Sequence, residues 1–172
     1  AKGISEQMLH LGMHGGTQYI VPWMQASYLM VANKKALQYL PEGADLQGLS
    51  YEQFLAWAEN MHEATGEARL GFPAGRNGLM HRFLQGYLYP SFTGSMVRRF
   101  RSDEARTMWE YMRDLWQHVS PESLTFNSMA SPMREGSVWV GWDHVARLAE
   151  LFKESPDQYV AFSAPSGPHG RG

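Results

Sequence analysis

The chain has 172 residues, of which 44% are hydrophobic and 19% charged, a composition typical of a single globular domain with a substantial core. A formal net charge of −2 gives no general attraction for nucleic acid or for an anionic membrane surface. The absence of cysteine excludes disulfides and Cys-based metal sites, and no apolar run reaches the ~20 residues of a membrane span.

The first part of the chain predicts a lead-in followed by two strands. Residues 1–16 are rich in glycine and lack periodicity, and the spacing of His10 and His14 would suit a metal only if both lay on one helix face. β-Rich residues ended by proline predict a strand over Thr17–Pro22. A second apolar run predicts a strand over Tyr28–Ala32, and a short helix follows it.

Three helices are predicted between residues 50 and 119. Ser50 and Gln53 have the spacing of a capping box, and Gly66 is placed to end the helix that they begin. After a short strand candidate at Leu70–Pro73, apolar spacing predicts a helix from Leu79 to Pro90. Ser102 begins the third helix, whose apolar stripe includes Trp109 and Trp116 and runs to Val119.

The last third alternates helix and strand. A short helix over Ser128–Glu135 is followed by a strand over Ser137–Gly141, a helix from Val145 to Phe152 and a final strand over Gln158–Phe162. Because strands and helices alternate along the chain, the predicted fold class is α/β, with a sheet flanked by helices.

Notable side chains follow three of the predicted strands. Ligands of α/β proteins meet the carboxyl ends of strands, so these positions are the candidate binding site. An indole can pack against the apolar face of a sugar ring, and amides, carboxylates and guanidinium groups can pair with its hydroxyls. The candidate ligand-binding residues are Trp23, Gln25, Tyr28, Arg76, Asn77, Trp142, Asp143 and His144.

Residues 142–144 are open to several interpretations. Trp142 follows Gly141, where the predicted strand breaks, and is either a core residue or a ligand wall, whereas Trp139 is predicted to pack inside. Asp143 is either a ligand contact or the N-cap of the following helix. Asp143 and His144 also form a candidate acid–base pair, although no nucleophile motif or phosphate loop accompanies them.

Five segments in order resemble the carbohydrate-specific, maltose-binding-protein-like group (family 1) of extracellular solute-binding proteins of bacterial ABC transporters. They are YIVPWMQASYLMVANKKAL, LSYEQFLAWAENM, SDEARTMWEYMRDLW, MREGSVWVGWDHVARL and YVAFSAPSGPHGRG, spanning about Thr17 to Gly172. Trp23 and Gln25 match the stretch after the hinge, Arg76 and Asn77 a contact loop, and Trp142 the stacking tryptophan loop. Two departures leave the sugar unidentified: Gly141 directly precedes Trp142, and Ala26 stands where some relatives carry a carboxylate.

The resemblance implies one lobe of a type II periplasmic-binding-protein fold, with a mixed sheet flanked by helices. It divides the chain into a connector, residues 1–16, and a second α/β lobe with hinge strands, residues 17–172, with most of the first lobe absent. The expected function is capture of a sugar or oligosaccharide for an ABC permease, without catalysis, cofactor, metal or nucleic-acid partner. The expected location is periplasmic or extracellular, with no membrane insertion of this segment and with a lipid anchor as one form of attachment. The alternative is a small sugar-active enzyme that uses Asp143 and His144.

Overall fold

The structure, a computed structural model, describes residues 5–21, 26–95 and 100–171. The strands are β1 (Met13–His14), β2 (Thr17–Gln18), β3 (Tyr28–Asn33), β4 (Leu70–Gly71), β5 (Val140–His144) and β6 (Tyr159–Phe162). The α-helices are α1 (Glu6–His10), α2 (Tyr51–Thr65), α3 (Met80–Phe83), α4 (Tyr89–Thr93), α5 (Asp103–Trp116), α6 (Ala130–Glu135) and α7 (Val145–Glu154). Short 3₁₀ helices cover Lys34–Tyr39, Leu46–Gly48 and Pro121–Leu124, and a π-helical turn covers Leu84–Leu88.

A four-stranded mixed sheet in the order β4-β5-β3-β6 forms the centre of the molecule. β4 runs parallel to β5, whereas β3 is antiparallel to both of its neighbours, β5 and β6. The α/β class and the mixed sheet flanked by helices are therefore confirmed.

Alternation along the strands sends side chains into two separate cores. Met30 and Trp142 face the larger core, which includes Phe54 of α2 and Met108 of α5. Val31 faces the smaller core on the other side, which contains side chains of α6 and α7. Each face of the sheet is thus covered by helices, as period-two alternation in a two-sided sheet requires.

The predicted caps of α2 are confirmed. The Ser50 hydroxyl accepts a hydrogen bond from the Gln53 amide at 3.1 Å, and the Gln53 side chain accepts one from the Ser50 amide at 3.0 Å. Gly66 ends the helix in the left-handed conformation at a φ of 72°, which a glycine adopts without steric cost.

The predicted end of the helix at Pro90 is wrong. α3 widens into the π-helical turn, and α4 continues through Pro90 to Gly94, which has a φ of 68°. The wider turn interrupts the regular i→i−4 ladder just before Pro90, and Pro90 then occupies the first turn of α4, where no intrahelical amide bond is needed.

The bounds predicted for β5 are also wrong, because the strand runs from Val140 to His144 rather than from Ser137 to Gly141. Gly141 does not break the strand but lies opposite Gly71 of β4. A Cβ atom on Gly71 would come within 2.7 Å of the Met129 Cε, so these glycines make room for a core methionine. Trp142 and Asp143 consequently lie within the strand, on opposite faces of the sheet.

The amino-terminal segment folds on itself. β2 pairs with β1 rather than with the main sheet, through a two-residue turn of Gly15 and Gly16 with φ values of 56° and 79°. The boundary predicted between residues 16 and 17 falls inside this hairpin. His10 ends α1 whereas His14 lies in β1, so the two do not share a helix face. Across residues 5–21, 26–95 and 100–171, no helix combines the length and apolar character needed to cross a membrane.

Candidate functional site

The candidate site lies at one edge of the main sheet, where the carboxyl ends of β4 and β5 meet the start of β3. Tyr28 is the register partner of His144, and Leu29 that of Asp143. Because β4 and β5 are parallel, the loop that carries Arg76 and Asn77 leaves the sheet at this same edge. Trp23 and Gln25 lie outside the described residues.

An aromatic cluster occupies one face of this edge. The rings of Tyr28 and Trp142 are stacked, 4.9 Å apart and 4° from parallel, and His144 meets Tyr28 edge-on at 5.1 Å. Tyr87, from the π-helical turn, approaches Trp142 edge-on at 5.8 Å. Tyr28, Tyr87 and His144 are partly exposed, so they form the accessible surface of the cluster.

Trp142 itself is 0% exposed. Tyr28 covers one ring face, and Phe83 packs against the ring edge-on at 5.4 Å. In this structure a ligand at the sheet edge would meet Tyr28 before Trp142, so direct stacking of a sugar on Trp142 stays a prediction. The indole Nε1–H is buried without a hydrogen-bond acceptor among the described residues.

Asp143 points to the opposite face of the sheet and is 0% exposed. Its carboxylate accepts hydrogen bonds from the Met129 amide at 2.9 Å and the His144 amide at 2.7 Å. Burial raises the pKa of this carboxyl group above its ordinary value, although these two amides and the nearby Arg147 oppose the shift. The buried carboxylate therefore fastens the start of α6 to β5.

Asp143 is not the cap of α7. That role belongs to His144, whose Nδ1 accepts a hydrogen bond from the Ala146 amide at 3.0 Å. The tautomer that does this carries its proton on Nε2. Since both side chains are engaged with backbone amides and Asp143 has no access to solvent, the acid–base pair of the enzyme alternative is not assembled.

A polar groove of about 560 Å³ lies on the Asp143 side of the strand. The Arg147 guanidinium donates to the backbone carbonyls of Asn127 and Asn77 and lies 3.8 Å from the Asp143 carboxylate. The Asn127 side-chain oxygen accepts a hydrogen bond from the Asn77 amide at 2.9 Å. Asn77 thus joins the groove, whereas Arg76, on the same loop, is not among the lining residues of the groove; both residues are exposed.

The structure brings six predicted residues to one edge and adds three that the sequence did not indicate. They are Tyr87, Asn127 and Arg147, and the first two belong to the site through long-range packing alone. Arg147 carries a weak signal in the sequence, because it lies only four residues after Asp143, in the first turn of α7. Among the described residues, no group of three or more His, Cys, Asp or Glu side chains is arranged to hold a metal ion.

No protein-family model matches the sequence, and no curated protein matches it either. The fold is nevertheless similar to solved structures. One is an extracellular solute-binding protein of family 1 from Alicyclobacillus acidocaldarius, with a TM-score of 0.68, 17% identity and coverage of 98% of this chain and 44% of that one. A second is maltose-bound MalE3 from T. maritima, with a TM-score of 0.69, 21% identity and coverage of 97% and 45%.

A third is UgpB from Mycobacterium tuberculosis in complex with glycerophosphocholine, with a TM-score of 0.70, 18% identity and coverage of 96% and 44%. The chain therefore spans less than half the length of these proteins. Because the sequence identities are this low, the structural similarity over nearly all of this chain shows a shared fold and nothing further. The chain has the fold of one lobe of the family 1 extracellular solute-binding proteins.

Proposed function

We propose that this chain is the carbohydrate-binding second lobe of an ABC-transporter solute-binding protein, which captures a sugar or oligosaccharide in a cleft between two lobes. The observation that carries the proposal is the sheet edge at Tyr28 and His144, where partly exposed aromatic rings occupy one face of the sheet and a polar groove borders the other face. A sugar has an apolar ring face and a rim of hydroxyls, so it matches such an edge.

Each part of the edge has a role in this proposal. Tyr28 offers its ring to the sugar and rests on Trp142, which fixes the orientation of the phenol ring. The Asn77 side chain and the Arg147 guanidinium supply donors and acceptors for hydroxyls, and the His144 Nε2–H supplies another donor. By resemblance, Trp23, Gln25 and Arg76 add further ligand contacts from the adjoining segments.

The proposed mechanism is ligand binding without catalysis. Sugar held between two lobes favours the closed protein by its additional contacts with that form, and the closed protein then docks on a membrane permease. We place the complete protein in the periplasm or outside the cell, and a lipid anchor is compatible with that location. A single lobe makes only part of the contacts, so the chain alone is expected to bind sugar with a Kd weaker than about 1 µM.

The proposal is tested by titrating the chain and the complete protein with a saccharide panel and with glycerophosphocholine, using calorimetry and tryptophan fluorescence. Tyr28→Ala is expected to weaken saccharide binding by roughly two- to tenfold, since an aromatic contact contributes roughly 0.5–1.5 kcal/mol. Tyr39→Ala is the matched control, because Tyr39 stacks on Trp139 rather than at the candidate site.

The outcomes separate the possible ligand classes. Saccharide binding that Tyr28→Ala weakens and Tyr39→Ala leaves intact supports the proposal. Binding of glycerophosphocholine without binding of any saccharide would move the ligand class to phosphodiesters. If the complete protein binds no saccharide, the proposed function is wrong.

A further inference from the structure

His62 and His118 form a pair at the end of the sheet opposite the candidate site. His62 lies in the last turn of α2, and His118 follows the end of α5. The next residue, Val119, forms a bridge with Leu70 at the start of β4. The pair is therefore on the amino side of β4 and β5, whereas the candidate sugar site is on the carboxyl side of these two strands.

The two imidazoles face each other through the same ring atom. The Nδ1 atoms are 3.1 Å apart, the ring planes are 81° from parallel, and both side chains are half-buried. A metal ion at about 2.0–2.1 Å from each nitrogen would make an N–metal–N angle of roughly 98°, between the square-planar and tetrahedral values. The spacing thus suits two adjacent ligands of one divalent ion.

The charges around the pair favour a cation. His62 lines a cavity of about 670 Å³ to which Glu67, Glu122 and the two neighbours of His118 in sequence, Gln117 and Val119, also contribute, and no lysine or arginine is among its lining residues. Arg69 approaches from outside this lining and forms an ion pair with Glu67 at 2.7 Å. Glu122 is exposed and extends from the 3₁₀ helix beside the cavity.

We propose that His62 and His118 bind a divalent transition-metal ion, Cu²⁺ or Zn²⁺, through their Nδ1 atoms. Imidazole nitrogen suits both ions. In the metal-free protein one Nδ1–H donates to the other Nδ1. On binding, that proton moves to Nε2 of the same ring, so both Nδ1 lone pairs face the ion. Solvent fills the remaining coordination positions, because no third side chain of the described residues completes the set.

The first experiment titrates the chain with Cu²⁺ and with Zn²⁺ alone by calorimetry. One equivalent is expected to bind, and His62→Gln or His118→Gln is expected to weaken that event at least tenfold. Cu²⁺ is also expected to quench the fluorescence of Trp116, which lines the same cavity. His10→Gln and His81→Gln, exposed histidines outside the cavity, are the matched controls.

Absence of a one-equivalent binding event, or equal binding by His62→Gln and the unchanged chain, would overturn the proposal. A variant could also lose metal binding because it misfolds, so a second experiment uses the chain without substitutions. In imidazole NMR spectra, Zn²⁺ is expected to shift the signals of His62 and His118 first. Shifts confined to other histidines would overturn the proposal whatever the variants do.

Discussion

At the scale of single residues, Trp142 is held in the larger core by aromatic rings. Tyr28 stacks on it, while Phe83 and Tyr87 meet it edge-on. Trp109 lies on the stripe of α5 that predicted core packing, but it is 41% exposed. The stability contributions of these two tryptophans should therefore be very different.

Trp142→Ala is expected to lower the free energy of unfolding by about 3–5 kcal/mol, because it removes buried apolar surface and leaves a cavity. Trp109→Ala is expected to lower it by about 1 kcal/mol or less. Urea titration followed by circular dichroism measures both. Equal losses for the two variants would contradict the burial of Trp142 described above.

Asp143 should make the stability of the protein depend on pH. Burial raises the pKa of Asp143 in the folded state above its value in the unfolded chain. As the pH rises above about 4, the unfolded chain loses this proton first, so deprotonation disfavours the folded state. The unfolding free energy of the unchanged protein, minus that of Asp143→Asn, is therefore expected to fall as pH rises through the raised pKa.

The difference in unfolding free energy between the unchanged protein and Asp143→Asn is measured by urea unfolding at a series of pH values between about 3.5 and 7. Asp157→Asn, at an exposed position, controls for the loss of one negative charge from the surface. A difference for Asp143→Asn that rises with pH would show that the amides of Met129 and His144 outweigh the effect of burial.

The sequence predicts many residues of the edge but not their relative positions. Tyr28, Asp143 and His144 are identified because unusual side chains stand beside apolar runs. The apolar run from Val138 to Trp142, however, does not define where the strand starts or stops. Its bounds follow from pairing with β3, and the position of Tyr87 follows from packing of a helix onto the sheet. Both are long-range contacts that no local pattern contains.

At the scale of elements, α2 is the helix best specified by local sequence, because its capping box, apolar stripe and final glycine all agree with the structure. Ser50→Ala should lower the free energy of unfolding by about 1 kcal/mol, since the Gln53 amide loses its acceptor. Ser50→Asn, which retains an acceptor at the cap, is the matched control, and its free energy of unfolding should stay close to that of the unchanged protein. Thermal unfolding measures both, and equal losses for the two variants would rule out the cap as the cause.

The helix that crosses Pro90 shows where local signals mislead. Proline usually ends a helix because it lacks an amide and clashes with the preceding turn. Here the π-helical turn changes the hydrogen-bond pattern before Pro90, and Tyr89 and Phe92 are nevertheless buried in the larger core. Tertiary packing of these rings outweighs the local preference, which the sequence pattern alone does not reveal.

At the scale of the whole molecule, β3 and β5 connect the two cores. Each has a neighbouring strand on both sides, and together they contribute side chains to both clusters. Residues 5–21 differ, because the hydrogen bonds described for them close within that segment, and Leu11 is 84% exposed. The protein therefore combines a central sheet with an amino-terminal hairpin that depends little on it.

Hydrogen exchange of the backbone amides should distinguish the central sheet from the amino-terminal hairpin directly. Amides of β3 and β5 are expected to exchange slowest, because exposing them requires the sheet to open and both cores to separate. Amides of residues 5–21 are expected to exchange orders of magnitude faster, since the hairpin can open without disturbing the sheet. Mass spectrometry of peptic fragments measures both regions in one experiment, and peptides from α7 provide an intermediate reference on the smaller core. If residues 5–21 were protected as strongly as β3, the hairpin would have to be packed on the sheet, and the division drawn here would be wrong.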